Sequence, residues 1–168
     1  MTPTGPGFEQ AGAEHWPEIW PIIQAVVAGG DTYPYPPDIS EEEALAIWMK
    51  LGSEREATYV ARLDGQVVGT AYVRCNGVGL SDHIANAGWM VAPEHQGRGI
   101  GRPFAEHVLD EARRFGYRAM QFNAVVATNT GAVHLWESLG FEIVGTVPDA
   151  FRHQRLGLVP VHVMYRRL

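Results

Sequence analysis

Apolar side chains at Trp16, Ile19, Trp20, Ile23 and Val27 fall on one helix face, and Gly29 with Gly30 ends the run, so residues 14–27 are expected to be helical. Pro21 is expected to kink or split that helix. Residues 31–38, DTYPYPPD, carry three prolines and read as an extended loop. Ser40 with Glu43 three positions on makes a capping box, after which Ala44, Ile47, Trp48 and Leu51 continue a second helix.

The period then shortens to that of strands. Residues 58–63 and 66–75 alternate or run apolar on either side of Asp64-Gly65, which predicts a β-hairpin with a primed turn. Residues 76–82 read as a loop and 83–91 as a strand. Helical spacing returns over 102–115, with Phe104, Val108, Ala112 and Phe115 as the buried stripe and Pro103 in the first turn, where a missing N–H is tolerated. Residues 118–126 form a further strand, parallel to the one before because a helix crosses between them. A short helix over 130–139 turns Ala132, Leu135, Trp136 and Leu139 inward and stops at Gly140. Strands at 141–147 and 159–167, joined by a loop around 151–158, complete a mixed α/β sheet flanked by helices.

At 168 residues the chain suits one core, so 1–168 is expected to be a single domain, with residues 1–7, MTPTGPG, as a loose N-terminal tail. That start has neither a cationic end nor an apolar core of the kind a signal peptide needs, and no run approaches the ~18 apolar residues of a membrane span. The formal charge of −6 argues against nucleic acid, which asks for a basic face. One cysteine, Cys75, cannot form an internal disulfide and reads as a buried small hydrophobe, so a reducing cytoplasm is the expected setting. No His/Cys/Asp spacing suggests a metal site, and none of the seven histidines, His107, His134, His83, His153 and His162 among them, has a partner spacing that marks it as a base.

Residues 91–102, VAPEHQGRGIGR, lie between the strand 83–91 and the helix 102–115. A strand, a glycine-rich turn and a helix N-terminus make an anion site, because the first helical N–H groups are unpaired and glycines let the backbone approach a ligand. It is not a Walker loop, since the only lysine is Lys50, nor the dinucleotide fingerprint, since Phe104 stands where the third glycine belongs. What remains is Gln96, Gly99 and Gly101 in the pattern Q-x-x-G-x-G after Val91 and Pro93. This resembles motif A of the GCN5-related N-acetyltransferases (GNAT). Residues 129–141, NTGAVHLWESLGF, are similar to the second signature of that family, N-x-x-A-x-x-L-Y/W-x-x-x-G-F.

The resemblance implies the GNAT acyl-CoA N-acyltransferase fold, a mixed central sheet with a splay between the fourth and fifth strands. It implies acetyl-CoA as co-substrate, with Gln96, Gly97, Arg98, Gly99, Ile100, Gly101 and Arg102 holding its pyrophosphate. Backbone amides of Met90 or Val91 would serve the thioester carbonyl, and Asn129 would bond cofactor or substrate nearby. Trp136 departs from the pattern, since many members carry a tyrosine there to protonate the leaving thiolate; Trp136 is expected to pack on the sulfur end of the cofactor or in the core.

Asn86 and Asn123 interrupt apolar strands, although asparagine is a poor strand residue and buried amides need partners. They either satisfy the splay or point into an acceptor cavity. HIANAGWMV, FNAVVATNT and LWESLGF together resemble the fungal N-acetyltransferases of proline analogues such as azetidine-2-carboxylate, in which asparagines matching Asn86, Asn123 and Asn129 line the amino-acid site. The implied acceptor is a small amino acid or cyclic amine, and a homodimer is left open. Tyr33 and Tyr35, aromatic residues on a proline-stiffened loop, are expected either to wall the acceptor pocket or to staple the two helices together. The competing readings are a protein N-terminus or antibiotic amine as acceptor, and a catalytically silent CoA-binding sensor.

Overall fold

The computed structural model describes residues 5–168. One seven-stranded sheet runs through it in the order β1-β2-β3-β4-β5-β7-β6. The strands are β1 (Gly7–Gln10), β2 (Ala57–Leu63), β3 (Gln66–Cys75), β4 (Ile84–Val91), β5 (Ala119–Val126), β6 (Glu142–His153) and β7 (Gly157–Arg167). The β2–β3 turn has Asp64 and Gly65 at φ +51° and +82°, the primed geometry that the sequence of the turn predicts. Strand alternation then sorts the side chains to two faces. On one, Tyr59, Ala71, Val73 and Met120 pack with Phe104, Val108 and Leu109 of α3 (Gly101–Arg114) and Val133 and Trp136 of α4 (Thr130–Ser138). On the other, Val60, Tyr72 and Met90 pack with Ile19, Ile23 and Val27 of α1 (Trp16–Ala28) and Ala44 and Trp48 of α2 (Glu41–Trp48). None of these helices is long and apolar enough to cross a membrane.

Four expectations change. Residues 1–4 of the expected tail lie outside the described residues, but Gly7 already belongs to β1, which pairs antiparallel with β2 from Gly7↔Arg62 to Gln10↔Tyr59. Phe8 anchors this strand, its ring 5.2 Å from that of Phe104. Pro21 does not split α1: the bond it cannot donate would go to the carbonyl of Pro17, in the first turn. α2 stops at Trp48, short of Leu51, because the Thr58 hydroxyl donates to the Trp48 carbonyl and accepts from the Lys50 N–H, drawing the chain into β2. Lastly, β6 and β7 run on to His153 and from Gly157, so the expected loop at 151–158 shrinks to residues 154–156.

The expected splay is present. Among the described residues β4 and β5 are the one parallel pair in the sheet, matched at Ile84↔Ala119 and Ala85↔Met120 and nowhere further along. Beyond those pairs β4 stays with β3 up to Gly69↔Val91, while β5 follows β7 up to Val126↔Val161.

Candidate active site

Two hydrogen bonds fix how β4 is turned. Ala92 donates its N–H to the Val68 carbonyl at 2.9 Å, and the Ile84 carbonyl accepts from Asn76 at 2.8 Å, so even-numbered residues aim their peptide groups at β3. Ala87, Trp89 and Val91 therefore aim theirs into the gap. Of the two amides expected at the thioester, that of Met90 belongs to the β3 ladder opposite Thr70, and its side chain is buried against the α1 and α2 face. Strand alternation thus leaves the amide of Val91, and not that of Met90, facing the gap.

Side chains take most of what faces the gap. Asn86 Oδ1 accepts from Ala87 N–H at 2.8 Å, and Gln96 Nε2 donates to the Val91 carbonyl at 3.3 Å. The Tyr33 hydroxyl serves Trp89 twice, accepting from its N–H at 2.9 Å and donating to its carbonyl at 2.7 Å. It behaves as a one-residue substitute for the missing strand. Gly88 permits the approach, since a Cβ there would lie 2.8 Å from Tyr72 Cε1 and 3.3 Å from the Tyr33 oxygen. Among the described residues no side chain takes the Val91 N–H.

The gap opens into a cavity of about 290 Å³. Tyr33, Tyr35, Tyr72, Trp89, Phe122 and Trp136 form its apolar walls, and its polar lining is Thr32, Arg74, Asn86, Asn123 and Asn129. No histidine or carboxylate lines it among the described residues. Tyr33 stacks on Tyr35 at 5.6 Å and meets Trp48 edge-on at 5.9 Å, so it is both a wall of the cavity and a staple to α2. Burial, and then the phenols of Tyr72 and Tyr35, push its pKa well up, which keeps it a neutral hydroxyl. Tyr33→Phe strands two partly buried peptide groups of Trp89 and is expected to lower the unfolding free energy by about 1 to 3 kcal/mol in urea titrations. A loss under about 0.5 kcal/mol would make the double hydrogen bond irrelevant to the fold.

The asparagines are all engaged. Besides Asn86, Asn123 donates to Asn76 Oδ1 at 2.8 Å and accepts from Gln121 Nε2 at 3.0 Å, at the point where β5 slips register against β7. Asn129 is the N-cap of α4, its Oδ1 accepting from Ala132 N–H at 3.4 Å. Trp136 is 8% exposed, its ring 4.7 Å from that of Trp89 and 4.8 Å from that of Phe122, at once a core residue and a wall of the cavity. Trp89 Nε1 and Thr32 Oγ1 are buried without a partner among the described residues, and both residues line the cavity. Within the cavity these two atoms are free to bond a ligand or water. His107 packs between Phe8 and Tyr59, and burial lowers its pKa; His153 accepts two backbone N–H groups in the β6–β7 turn. These are packing and turn roles.

The glycine turn lies at the far end of β4 and does not line the cavity. Gly97 and Gly99 have φ of +74° and +75°, and no atom lies within 4 Å of a Cβ built on either, so the space before the turn is open. Ile100 is buried and anchors the turn. Arg98, beside His95 at 3.0 Å, and Arg102, held by Glu106 at 3.1 Å and Ser138 at 2.9 Å, supply positive charge next to the unpaired N–H groups of α3. A diphosphate fits this turn.

The model of the acetyltransferase (GNAT) family matches residues 20–141. This chain belongs to that family. A GCN5-related N-acetyltransferase from Kribbella flavida has the same fold at a TM-score of 0.93, with 44% identity over 98% of both chains. The N-acetyltransferase aca1 of Schizosaccharomyces pombe is 41% identical over 51% of the GNAT chain and 41% of its own length. The L-amino acid N-acyltransferase MnaT of Escherichia coli is 35% identical over 40% of this chain and 38% of its own. The GNAT chain thus spans about two fifths of the length of these curated relatives. Two lining residues that sequence reasoning missed, Arg74 and Trp89, sit in strands where an arginine near the end or an aromatic is ordinary, so nothing local distinguished them.

Proposed function

We propose that the chain transfers the acetyl group of acetyl-CoA to the amine of a small molecule, an amino acid or proline-like amine, by direct attack in a ternary complex. The observation that carries this reading is the Val91 N–H, a gap-facing donor standing between an anion-receiving turn and an aromatic cavity whose described lining holds no carboxylate. Acetyl-CoA, when bound, supplies the thioester. The chain's own part is to hold the pyrophosphate at Gln96 to Arg102, to offer Val91 N–H to the thioester carbonyl, and to flank the arm with Trp89, Trp136 and Asn129. Asn86, Asn123, Tyr33 and Tyr35 then bound the space left for the acceptor.

An amine with a pKa near ~10 is mostly protonated at neutral pH and must lose that proton to attack. A cavity lined by amides, aromatic rings and the Arg74 guanidinium, without a carboxylate, offers the ammonium form no counter-charge, so water can carry the proton away. A thiol with a pKa of about 8.5 leaves without a protein acid, so Trp136 in place of a tyrosine does not forbid turnover. The Escherichia coli relative is an L-amino acid N-acyltransferase, which supports the amino-acid class of acceptor. The lone Cys75 thiol, which donates to the Gly77 carbonyl at 2.8 Å, suits a reducing cytoplasm.

Calorimetric titration with acetyl-CoA, followed by thiol release with a panel of amines, tests the proposal. Micromolar binding and thiol release with amino acids are expected, at about −8 kcal/mol of binding free energy. Binding without thiol release from any amine would replace the enzyme by a CoA-binding sensor, the reading that Trp136 leaves standing.

A further inference from the structure

Arg74 stands on β3 directly opposite Asn86 on β4, and register partners in an antiparallel pair point to the same face. Both line the cavity. The guanidinium lies 5.4 Å from the centroid of the Tyr72 ring, and Lys50 Nζ lies 5.7 Å from the same centroid. Burial first, and then the charge of Arg74, lower the pKa of Lys50, so the two cations feel one another across this ring.

Five other arginines pair with carboxylates. Arg55 pairs with Asp82, Arg62 with Glu9 and Glu18, Arg102 with Glu106, Arg113 with Asp110 and Arg114 with Glu111. Among the described residues Arg74 has no such partner, and of the arginines without one it is the one that lines this cavity. A half-buried guanidinium facing a cavity without a carboxylate lacks an anion. Asn86 narrows the choice. Its Oδ1 already accepts from Ala87 N–H, while its Nδ2 has no partner among the described residues, so what it offers most freely is a donor that suits an acceptor oxygen.

We propose that Arg74, with Asn86 Nδ2 opposite it, binds the carboxylate of the acceptor and so makes the enzyme select α-amino acids over simple amines. In an α-amino acid one carbon separates the carboxylate from the amine, so anchoring the first on the β3–β4 surface fixes how far the second reaches toward the gap. The planar fork of arginine matches two carboxylate oxygens, a geometry that a lysine cannot copy. Tyr72 holds the fork from one side, and the aromatic walls receive an apolar side chain or ring. The inference rests on the acetyl-transfer reading above and adds a specificity-determining residue to it.

The test pairs each of glycine, L-methionine, L-proline and L-azetidine-2-carboxylate with its own carboxamide, an amine of similar shape without the charge. Wild-type protein is expected to favour the acids by at least about tenfold in kcat/KM, the size of one charge-assisted hydrogen-bonded contact. Arg74→Gln should collapse that ratio toward unity through the KM of the acid, by roughly tenfold to a hundredfold, and Arg74→Lys should restore only part of it. Acetyl-CoA titration of each variant checks that the cofactor end is intact. A wild-type enzyme that takes carboxamides as well as acids, or an Arg74→Gln variant that loses both alike, overturns the assignment. Thiol release with simple amines alone sinks this inference and spares the acetyl-transfer reading, whereas no thiol release from any amine sinks both.

Discussion

Gly101→Val is expected to leave the protein folded and to weaken acetyl-CoA binding by at least about a hundredfold, or roughly 2.7 kcal/mol. The position is chosen because it separates binding from stability. Gly97 and Gly99 hold left-handed backbone, where any side chain is strained whatever the space around it. Gly101 opens α3 in ordinary helical geometry, and a Cβ there meets nothing nearer than Leu135 Cδ2 at 3.7 Å, an ordinary contact. An isopropyl group at this point stands between the unpaired N–H groups of the first helical turn and any phosphate that would use them. Calorimetry on a variant whose thermal unfolding matches wild type decides the matter. A folded Gly101→Val protein with undiminished affinity would move the pyrophosphate away from this turn and remove the basis for the cofactor assignment.

The second large effect is expected at Asn86. Asn86→Ala removes the Nδ2 donor from the cavity and uncovers Ala87 N–H, so kcat/KM for an amino-acid acceptor should fall by tenfold to a hundredfold, about 1.4 to 2.7 kcal/mol. The uncovered amide costs stability as well, so Asn86→Asp is the sharper variant. It keeps an oxygen for Ala87 N–H, loses the donor, and sets a negative charge where the acceptor's carboxylate would lie. Asn86→Asp should therefore unfold like wild type and turn over amino acids more slowly still than Asn86→Ala. Full activity in both variants would leave Asn86 as a cap on the splay and nothing more. Asn123→Ala belongs at the mild end of the same range, since its amide is exposed and already shared with Gln121 and Asn76.

Features written in local sequence were the ones open to reading. The Ser40–Glu43 capping box, the Asp64-Gly65 turn and the glycine motif each depend on residues a few positions apart, and each forms as its chemistry dictates. β1 was hidden because Phe8 is its single large apolar residue, and its partners, Tyr59 to Arg62, lie some fifty residues away. The end of α2 was misplaced for a similar reason: the group that stops it is the hydroxyl of Thr58, on the next strand. At the site, the two asparagines stood out against apolar strands, yet their working atoms depend on which peptide groups the splay leaves bare. Arg74 needed the β3–β4 register before it could be seen to face Asn86, and Tyr33 needed a partner 56 residues further along.

The order of strands across the sheet also sets when the site can exist. β5 forms one wall of the gap, and past Met120 the strand that holds it is β7, which pairs with it from Ala119↔Arg167 to Val126↔Val161. Residues 157–167 leave the ribosome after every residue that lines the cavity. Until they emerge, β5 has a partner along only its first two residues, and long-range pairings of this kind form slowly. A nascent chain can therefore carry both motifs, the glycine turn and the asparagines and still have no gap with a defined width. The chemistry is encoded ahead of β7, but its assembly waits for that strand to be inserted between β5 and β6.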